Sequence, residues 1–512
     1  MSASLDVSSA PHVRRQLDRA GWLIFGLIFL PTAIGLAAVA LGAPWPILFA
    51  GPAALAAILV LRTPVVGLYT LFAAALVIPV QTLGFPDSLT DNIPFFVNLS
   101  GGGSLNVSGL GISPAEILMS ITLLGVIGSS IVSGVTWAKG RLMNAYVLFI
   151  LAVCLGELNG LVHGGDFKLS LWELRPQVYA FFTFIMGTFL LRDRKQLIIL
   201  LAVTLAGELF MGIVGSYRYF VTLDRAVANA NPILAHEDSY LLSLFAIAVV
   251  IGLVWFRRPL VFALLVLSPL PVTALLENHR RAGTGALVLE IVVVLALAYV
   301  LEPRLRKALA AVGVILLVAG AVFTIVFWNQ QYGALAELIR PIKSLINPNA
   351  RDLSSDLYRI AETANLRLTF RSSPIFGIGF GHPYYIVYPQ TGVQKYDPLW
   401  NIIPHNNLLW IPMRMGVIGM VAFWGLIIAA TIEAVRIARS ASDLLIRCAM
   451  VFVLAGIFGL LFTGYYDITI ENYRNAIVLG IMLAIINRAG SLARRDQGAH
   501  EAATNDDQGG GG

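Results

Sequence analysis

The sequence predicts an all-α fold, that of a polytopic integral membrane protein. Mean hydropathy is +0.79 over 512 residues, of which 57% are hydrophobic and 12% charged. Apolar runs of about twenty residues, the length that crosses a bilayer as a helix, recur along the chain. Because hydrocarbon offers backbone N–H and C=O groups no partners, such continuous runs must be helical. Barrel strands would alternate and be half as long.

Arg14, Arg15 and Arg19 precede the first run, 22–41. It exceeds the core of a cleaved signal peptide and others follow, so it reads as an uncleaved span. Further spans are expected near 46–62, 64–83, 113–134, 143–161, 172–191, 196–216, 239–256, 259–276, 283–301, 306–328, 408–435, 443–465 and 471–487. The total is about fourteen transmembrane helices, within a range of about 12–14. The expected organisation is a cytoplasmic tail at 1–21, helices 1–11 over 22–328, an extracytoplasmic loop with short helices at 329–407, helices 12–14 over 408–487, and a disordered cytoplasmic tail at 488–512, small and polar in composition.

The net charge of +6 comes from short clusters between apolar runs. That pattern marks topology and excludes a nucleic-acid partner. Starting inside, alternate loops carry Arg62, then Lys139 and Arg141, then Arg192, Arg194 and Lys195, then Arg257 and Arg258, then Arg304, Arg306 and Lys307, then Arg436 and Arg439, then Arg488, Arg494 and Arg495. Loop 84–113, with its Gly-rich segment at 98–106, and loop 465–471 have no Lys or Arg. Both termini are then cytoplasmic and 329–407 lies outside. Against that rule, Arg175, Arg218, Arg225, Arg280, Arg281, Arg359, Arg367, Arg371, Arg414 and Arg474 map to the outer side. Headgroup snorkelling accounts for most of them individually; a bound anion is the other explanation.

The loop 329–407 is where chemistry is expected. Ser354-Ser355-Asp356 can cap a helix from Leu357 to about Ser372, ended by Pro374. It would present Tyr358, Arg359, Thr363 and Arg367 near one face, either as a cationic binding surface or as an interfacial helix resting on headgroups. Gly377-Ile-Gly379-Phe-Gly381 lacks the spacing of a dinucleotide fingerprint and lets backbone pass close to another element or a ligand. His405, between Pro404 and Asn406, has a side chain that titrates near neutrality and can take a proton from a hydroxyl; the plainer role is a structural hydrogen bond. If so, Glu237, Asp238 and Asp467 are the remaining candidate bases. Adjacent Arg280 and Arg281 can grip phosphate oxygens bidentately, and Arg225 sits in another outer loop that can fold over them.

No cofactor is expected. His236-Glu237-Asp238 is a consecutive run whose side chains diverge, so no metal is expected either, and no Walker loop marks an ATP site. Cys154 and Cys448 both sit in apolar runs, with neither disulfide nor thiolate-metal spacing. Glu157, Glu208 and Glu290, inside expected spans, suit an ion pathway, as in a transporter or flippase of lipid-linked sugars, or pair with polar neighbours.

Three stretches resemble the O-antigen ligase and polymerase superfamily of bacterial envelope glycosyltransferases: Asn278-His-Arg-Arg-Ala-Gly-Thr-Gly-Ala286, Tyr358-Arg359 through the Gly-rich turn to Gly381, and Pro404-His405-Asn406-Asn407 leading to Gly416. The resemblance implies inverting, metal-independent transfer of a glycan from a polyprenyl (undecaprenyl) diphosphate to a hydroxyl of a lipid or glycan acceptor. It further implies a site at the outer face of the bacterial inner membrane, among membrane lipids. On that likeness His405 corresponds to the catalytic base and Arg281 to an arginine on the donor diphosphate, with Arg280 beside it and Arg225 a second match. Arg359, Arg367, Asn406, Gly379 and Gly381 would support them. A ligase and an exopolysaccharide or O-antigen polymerase differ in acceptor rather than machinery.

The charge pattern predicts opposite locations for two positions. A reporter fused near Tyr388 should be active outside the cytoplasm and one fused near Arg304 inside it; finding both on one side would overturn the orientation.

Overall fold

The computed structural model describes residues 55–80, 90–97, 111–133, 141–224, 232–256, 259–330, 334–390 and 399–509. The regular elements among them are all helical. Leu55–Arg62 (α1) and Pro64–Val77 (α2) meet at 113°, where Pro64 at the start of α2 cannot continue the preceding hydrogen-bond ladder. Then come Pro114–Ser133 (α3), Arg141–Val162 (α4), Phe167–Leu190 (α5), Arg194–Tyr217 (α6) with a π-helical turn to Thr222, and Asp238–Trp255 (α7). Pro259–Leu267 (α8) and Pro269–Glu277 (α9) are short; Arg281–Leu301 (α10) and Arg306–Val326 (α11) are long. Ala334–Ile346 (α12) and Ala350–Ser372 (α13) lie between the long helices and are followed by Asn407–Ser440 (α14), Leu444–Tyr466 (α15) and Tyr473–Gly509 (α16).

Nine helices among the described residues are long and apolar enough to cross a membrane: α3, α4, α6, α7, α10, α11, α14, α15 and α16, or ten if α1–α2 is one span. Of the expected spans, 22–41 lies outside the described residues. The run 259–276 is too short to meet that standard: Val261–Glu277 is an apolar helix interrupted at Ser268, between α8 and α9, where Pro269 and Pro271 lack amide protons. The run 172–191 does form a helix, α5, but Glu173, Arg175 and Gln177 make its first half too polar to meet the same standard. The tail expected to be disordered continues α16 as far as Gly509, through a stretch containing several alanines, good helix formers.

α15 and α16 are central, with 78% of each span buried inside the protein, whereas none of α11 is buried and it packs along α10. α5 lies against α16, α10 against α15, α4 against α14, and α9 against α6. The expected cytoplasmic clusters meet at one end of this bundle: Arg194 pairs with Asp443 at 2.8 Å, Arg447 with Glu302 at 2.7 Å, and Arg488 donates to the Leu191 carbonyl at 2.9 Å. The opposite end gathers the α9–α10 turn and the starts of α7 and α14 with the α15–α16 turn.

Four arginines assigned to that opposite end pair with carboxylates. Arg218 meets Asp91, Arg474 meets Asp238 at 2.6 Å and Glu237 at 3.3 Å, and Arg175 meets Glu116 at 3.2 Å. Arg414 and Glu173, each with 0% side-chain exposure, pair at 2.5 Å across α14 and α5. Snorkelling does not describe these four. Of the intramembrane acids, Glu157 accepts from Ser170 at 2.9 Å, whereas neither carboxylate oxygen of Glu208 or of Glu290 accepts a hydrogen bond among the described residues.

The Gly-rich turn packs between the α4–α5 connection and the first turns of α14, where backbone meets backbone. Gly377, Gly379 and Gly381 have φ of 72°, 80° and 76°, and a Cβ on them would strike the backbones of Arg414, Gly160 and Asp166 respectively. Gly416, at φ 63°, interrupts α14 against the carbonyl of Ile375. Only glycine combines that backbone region with that proximity.

Because Arg414 also donates to the carbonyls of Gly379, His382 and Ile402, its loss would strand Glu173 and free the turn. Arg414→Met should cost about 3–5 kcal/mol. Glu173→Gln combined with Arg414→Met should cost less than Arg414→Met alone, read as thermal unfolding midpoints of the purified protein in nanodiscs.

Candidate functional site

α13 begins earlier than the sequence suggested. Asn349 rather than the Ser354-Asp356 segment caps it, accepting from the Asp352 amide at 2.7 Å, and the serines continue the helix. Its C-terminus at Ser372, ahead of Pro374, is as expected. One turn apart on its inward face, Tyr358 and Glu362 form a unit: the Tyr358 hydroxyl donates to Glu362 Oε1 at 2.9 Å.

Glu362 is 1% exposed and organises the residues ahead of α14. It accepts from the backbone amides of His405 at 3.2 Å and Asn406 at 3.3 Å, and His405 Nδ1 lies 3.2 Å from its Oε1. The Tyr358 ring packs edge-on against the imidazole, centroids 5.3 Å apart. With Nδ1 facing a carboxylate, Nε2 is the nitrogen left to exchange a proton. The side chain of His405 keeps 21% of its accessible surface. Asn406 caps α14 through the Leu409 amide at 3.0 Å. Asn407 Oδ1 accepts from the amides of Thr469 and Ile470, at 2.7 and 2.8 Å, so the His405 turn is stitched to the α15–α16 turn.

Asp467, in that second turn, faces His236 at 3.6 Å, and His236 is hydrogen-bonded to Arg280. Burial alone would raise the Asp467 carboxyl, but His236, Arg280 and His405 hold it well below the usual carboxylate range. For His405, burial opposes protonation. The hydrogen bond and charge of Glu362, with Asp467, outweigh burial and the positive charge of Arg359, and raise its pKa above the ordinary value. His236, Glu237, Arg280, Gly283, Thr463 and Asp467 line a cleft here.

Arg281, the first residue of α10, lies half-buried and forks onto Asp356 at 2.5 and 3.1 Å, with Asp352 3.6 Å away and Arg340 on the far side of Asp352 at 2.7 Å. The turn before it is built by Asn278, which accepts from Leu234 N at 2.9 Å and donates to Ser239 Oγ at 2.8 Å, while His279 adopts φ 54°. α10 is thereby tied to α13, the helix that holds His405.

The structure thus brings His405, Arg280 and Arg281 to one end, with Arg359 half-buried and near enough to act on His405 by its charge. Arg367 is exposed on the other side of α13, and Gly379 and Gly381 shape the turn rather than face the cleft. Arg225 lies outside the described residues. Sequence reading missed Glu362 and gave Asp467 only a reserve role. The signal for Glu362 was present: an acid one turn after Tyr358 on a helix otherwise rich in arginine.

Residues 266–424 match the sequence model of the O-antigen ligase family. The matched segment holds Arg280, Arg281, Tyr358, Glu362, the Gly-rich turn, His405 and Arg414, while Glu173, His236 and Asp467 fall outside it. No curated protein matches the chain.

A raised pKa means that the Glu362–His405 pair stabilises the fold fully below the ordinary histidine value near 6.5, and that its contribution is lost as pH rises through the higher folded value. Glu362→Gln should therefore move the midpoint for modification of His405 by diethyl pyrocarbonate, which attacks the neutral ring, to lower pH. Peptide mass spectrometry of the labelled protein reads this; an unchanged midpoint would mean that Glu362 does not set the charge of His405.

Proposed function

Since this chain belongs to the O-antigen ligase superfamily, whose members are membrane glycosyltransferases in general, we propose that it moves a glycan from a polyprenyl diphosphate to a hydroxyl of a lipid or glycan acceptor. The reaction takes place at the outer face of the bacterial inner membrane and inverts the anomeric centre. The observation that carries this reading is the clamped imidazole of His405, with Nδ1 on buried Glu362 and an edge still open.

In the reaction the acceptor oxygen attacks the anomeric carbon as its proton passes to His405 Nε2. The bond between that carbon and the diphosphate oxygen breaks, and the electron pair leaves on the diphosphate. A sugar hydroxyl is a poor nucleophile and a diphosphate held by guanidiniums a good leaving group, so base assistance is the contribution the reaction lacks, and it is worth about 10²–10⁴-fold. Glu362 fixes the tautomer and supports the imidazolium as it forms. Arg281 is the donor-binding arginine: its planar fork matches phosphate oxygens as it matches Asp356. Arg280 and Arg359 add positive charge to the same end. No step requires a metal or cofactor. The polymerase reaction would use the same groups and differ in the acceptor.

The test is transfer by purified His405→Ala and His405→Gln proteins with a defined lipid diphosphate donor, donor binding being measured separately. Binding should survive while turnover falls at least about a hundredfold in both. Near-normal turnover in His405→Gln would make His405 structural. Arg281→Ala should instead weaken donor binding by about 2 kcal/mol or more, with only partial rescue by Arg281→Lys.

A further inference from the structure

α12 and α13 expose large apolar side chains in a regular pattern that nothing among the described residues covers. On α12, Leu338, Ile342 and Ile346 are 41%, 48% and 70% exposed, one turn apart. On α13, Leu353, Leu357 and Ile360 are 46%, 58% and 65% exposed. At about 100° per residue these three fall within about 60° of one another, and the same stripe continues through exposed Arg367 and Arg371. Buried Glu362 and Thr369 lie on the opposite side of the helix. Along one line, then, α13 is apolar first and cationic afterwards.

The chain path fixes how far this surface stands from the bilayer. Seven residues separate the end of α11 at Val326 from the start of α12 at Ala334, a reach on the order of 25 Å even when fully extended. At its other end α13 runs into the Gly-rich turn, whose Gly379 packs on Gly160 near the end of α4. The helix pair is therefore pinned at both ends to the ends of membrane helices. A free apolar stripe would face water at that level unless lipid covered it, and two arginines beside such a stripe complement lipid phosphates.

We propose that the outward faces of α12 and α13 lie in the headgroup layer of the membrane and bind anionic phospholipid, the leucine and isoleucine side chains entering the leaflet and Arg367 and Arg371 meeting phosphate. This goes beyond the glycosyl-transfer reading and does not depend on it. Its consequence is positional: α13 touches lipid on one side and holds His405 on the other, which sets the imidazole about one helix diameter, about 10 Å, from the headgroups.

The full-length protein carrying Cys154→Ala and Cys448→Ala would be given a single cysteine, Leu357→Cys or separately Ile360→Cys. Each would be labelled with bimane and reconstituted into phosphatidylcholine vesicles with or without phosphatidylglycerol. Shallow doxyl-labelled lipid should quench both positions at least about threefold more than aqueous iodide does. Doxyl-phosphatidylglycerol should quench more than doxyl-phosphatidylcholine, and Arg367→Gln with Arg371→Gln should abolish that preference. Strong iodide quenching at both positions, protection from both quenchers as under a protein partner, or a preference unchanged by the arginine substitutions would each overturn the proposal. Because the readout is depth, a failed glycosyl-transfer assay would leave it unaffected.

Discussion

The pair formed by Glu173 and Arg414 is the constraint on which the candidate site depends. Both side chains are wholly buried, and removing two charges from water costs several kcal/mol per ion unless their remaining hydrogen-bonding positions are filled. Here they are filled. Glu173 also accepts from the Gly381 amide and the Trp410 indole at 2.8 and 2.9 Å, and Arg414 donates to three loop carbonyls. One ion pair thereby fixes α5, the Gly-rich turn, the residues before His405 and the first half of α14. The glycines at 377, 379, 381 and 416 let the backbone approach closely enough for this set of bonds to close.

A second consequence follows for His405, which does not touch that pair. Its place is set by the Glu362 side chain from α13 and by the start of α14, and α14 begins where Asn407 receives the α15–α16 turn. Three separate parts of the chain thus converge on one imidazole. A lone histidine at a membrane boundary would be free to turn, whereas this one is held on its Nδ1 edge by a carboxylate and against its ring by Tyr358. Orientation of this kind separates a group that can serve as a base from one that merely titrates.

Much of the fold was legible because lipid makes the apolar period explicit: a continuous run must be a helix. The departures came where composition and backbone chemistry disagreed. The run 259–276 has proline at 269 and 271, and α5, a helix as expected, carries Glu173 and Arg175 in its first half and is not among the helices apolar enough to span. At the site, His405, Arg280 and Arg281 were visible as unusual residues at an outer boundary. Their partners were not. Asp356 lies 75 residues from Arg281 and Glu173 lies 241 from Arg414, and nothing local in a sequence says which acid a distant guanidinium will meet. Glycine was more readable, because a residue without Cβ announces close approach even before the approaching backbone is known.

Burial sorts the outer arginines into two kinds. Arg218, Arg414 and Arg474 have 1%, 0% and 0% side-chain exposure and meet carboxylates that are themselves buried, so exchanging those carboxylates for a ligand would require the bundle to open. Arg281 is 17% exposed and its partner Asp356 35%. A carboxylate so placed can return to water at small cost, and a phosphate can take up the same two N–H groups in nearly the same plane. The Arg281–Asp356 pairing is therefore compatible with anion binding by the same two N–H groups. It keeps the guanidinium extended and oriented, on a helix tied to the one that positions His405.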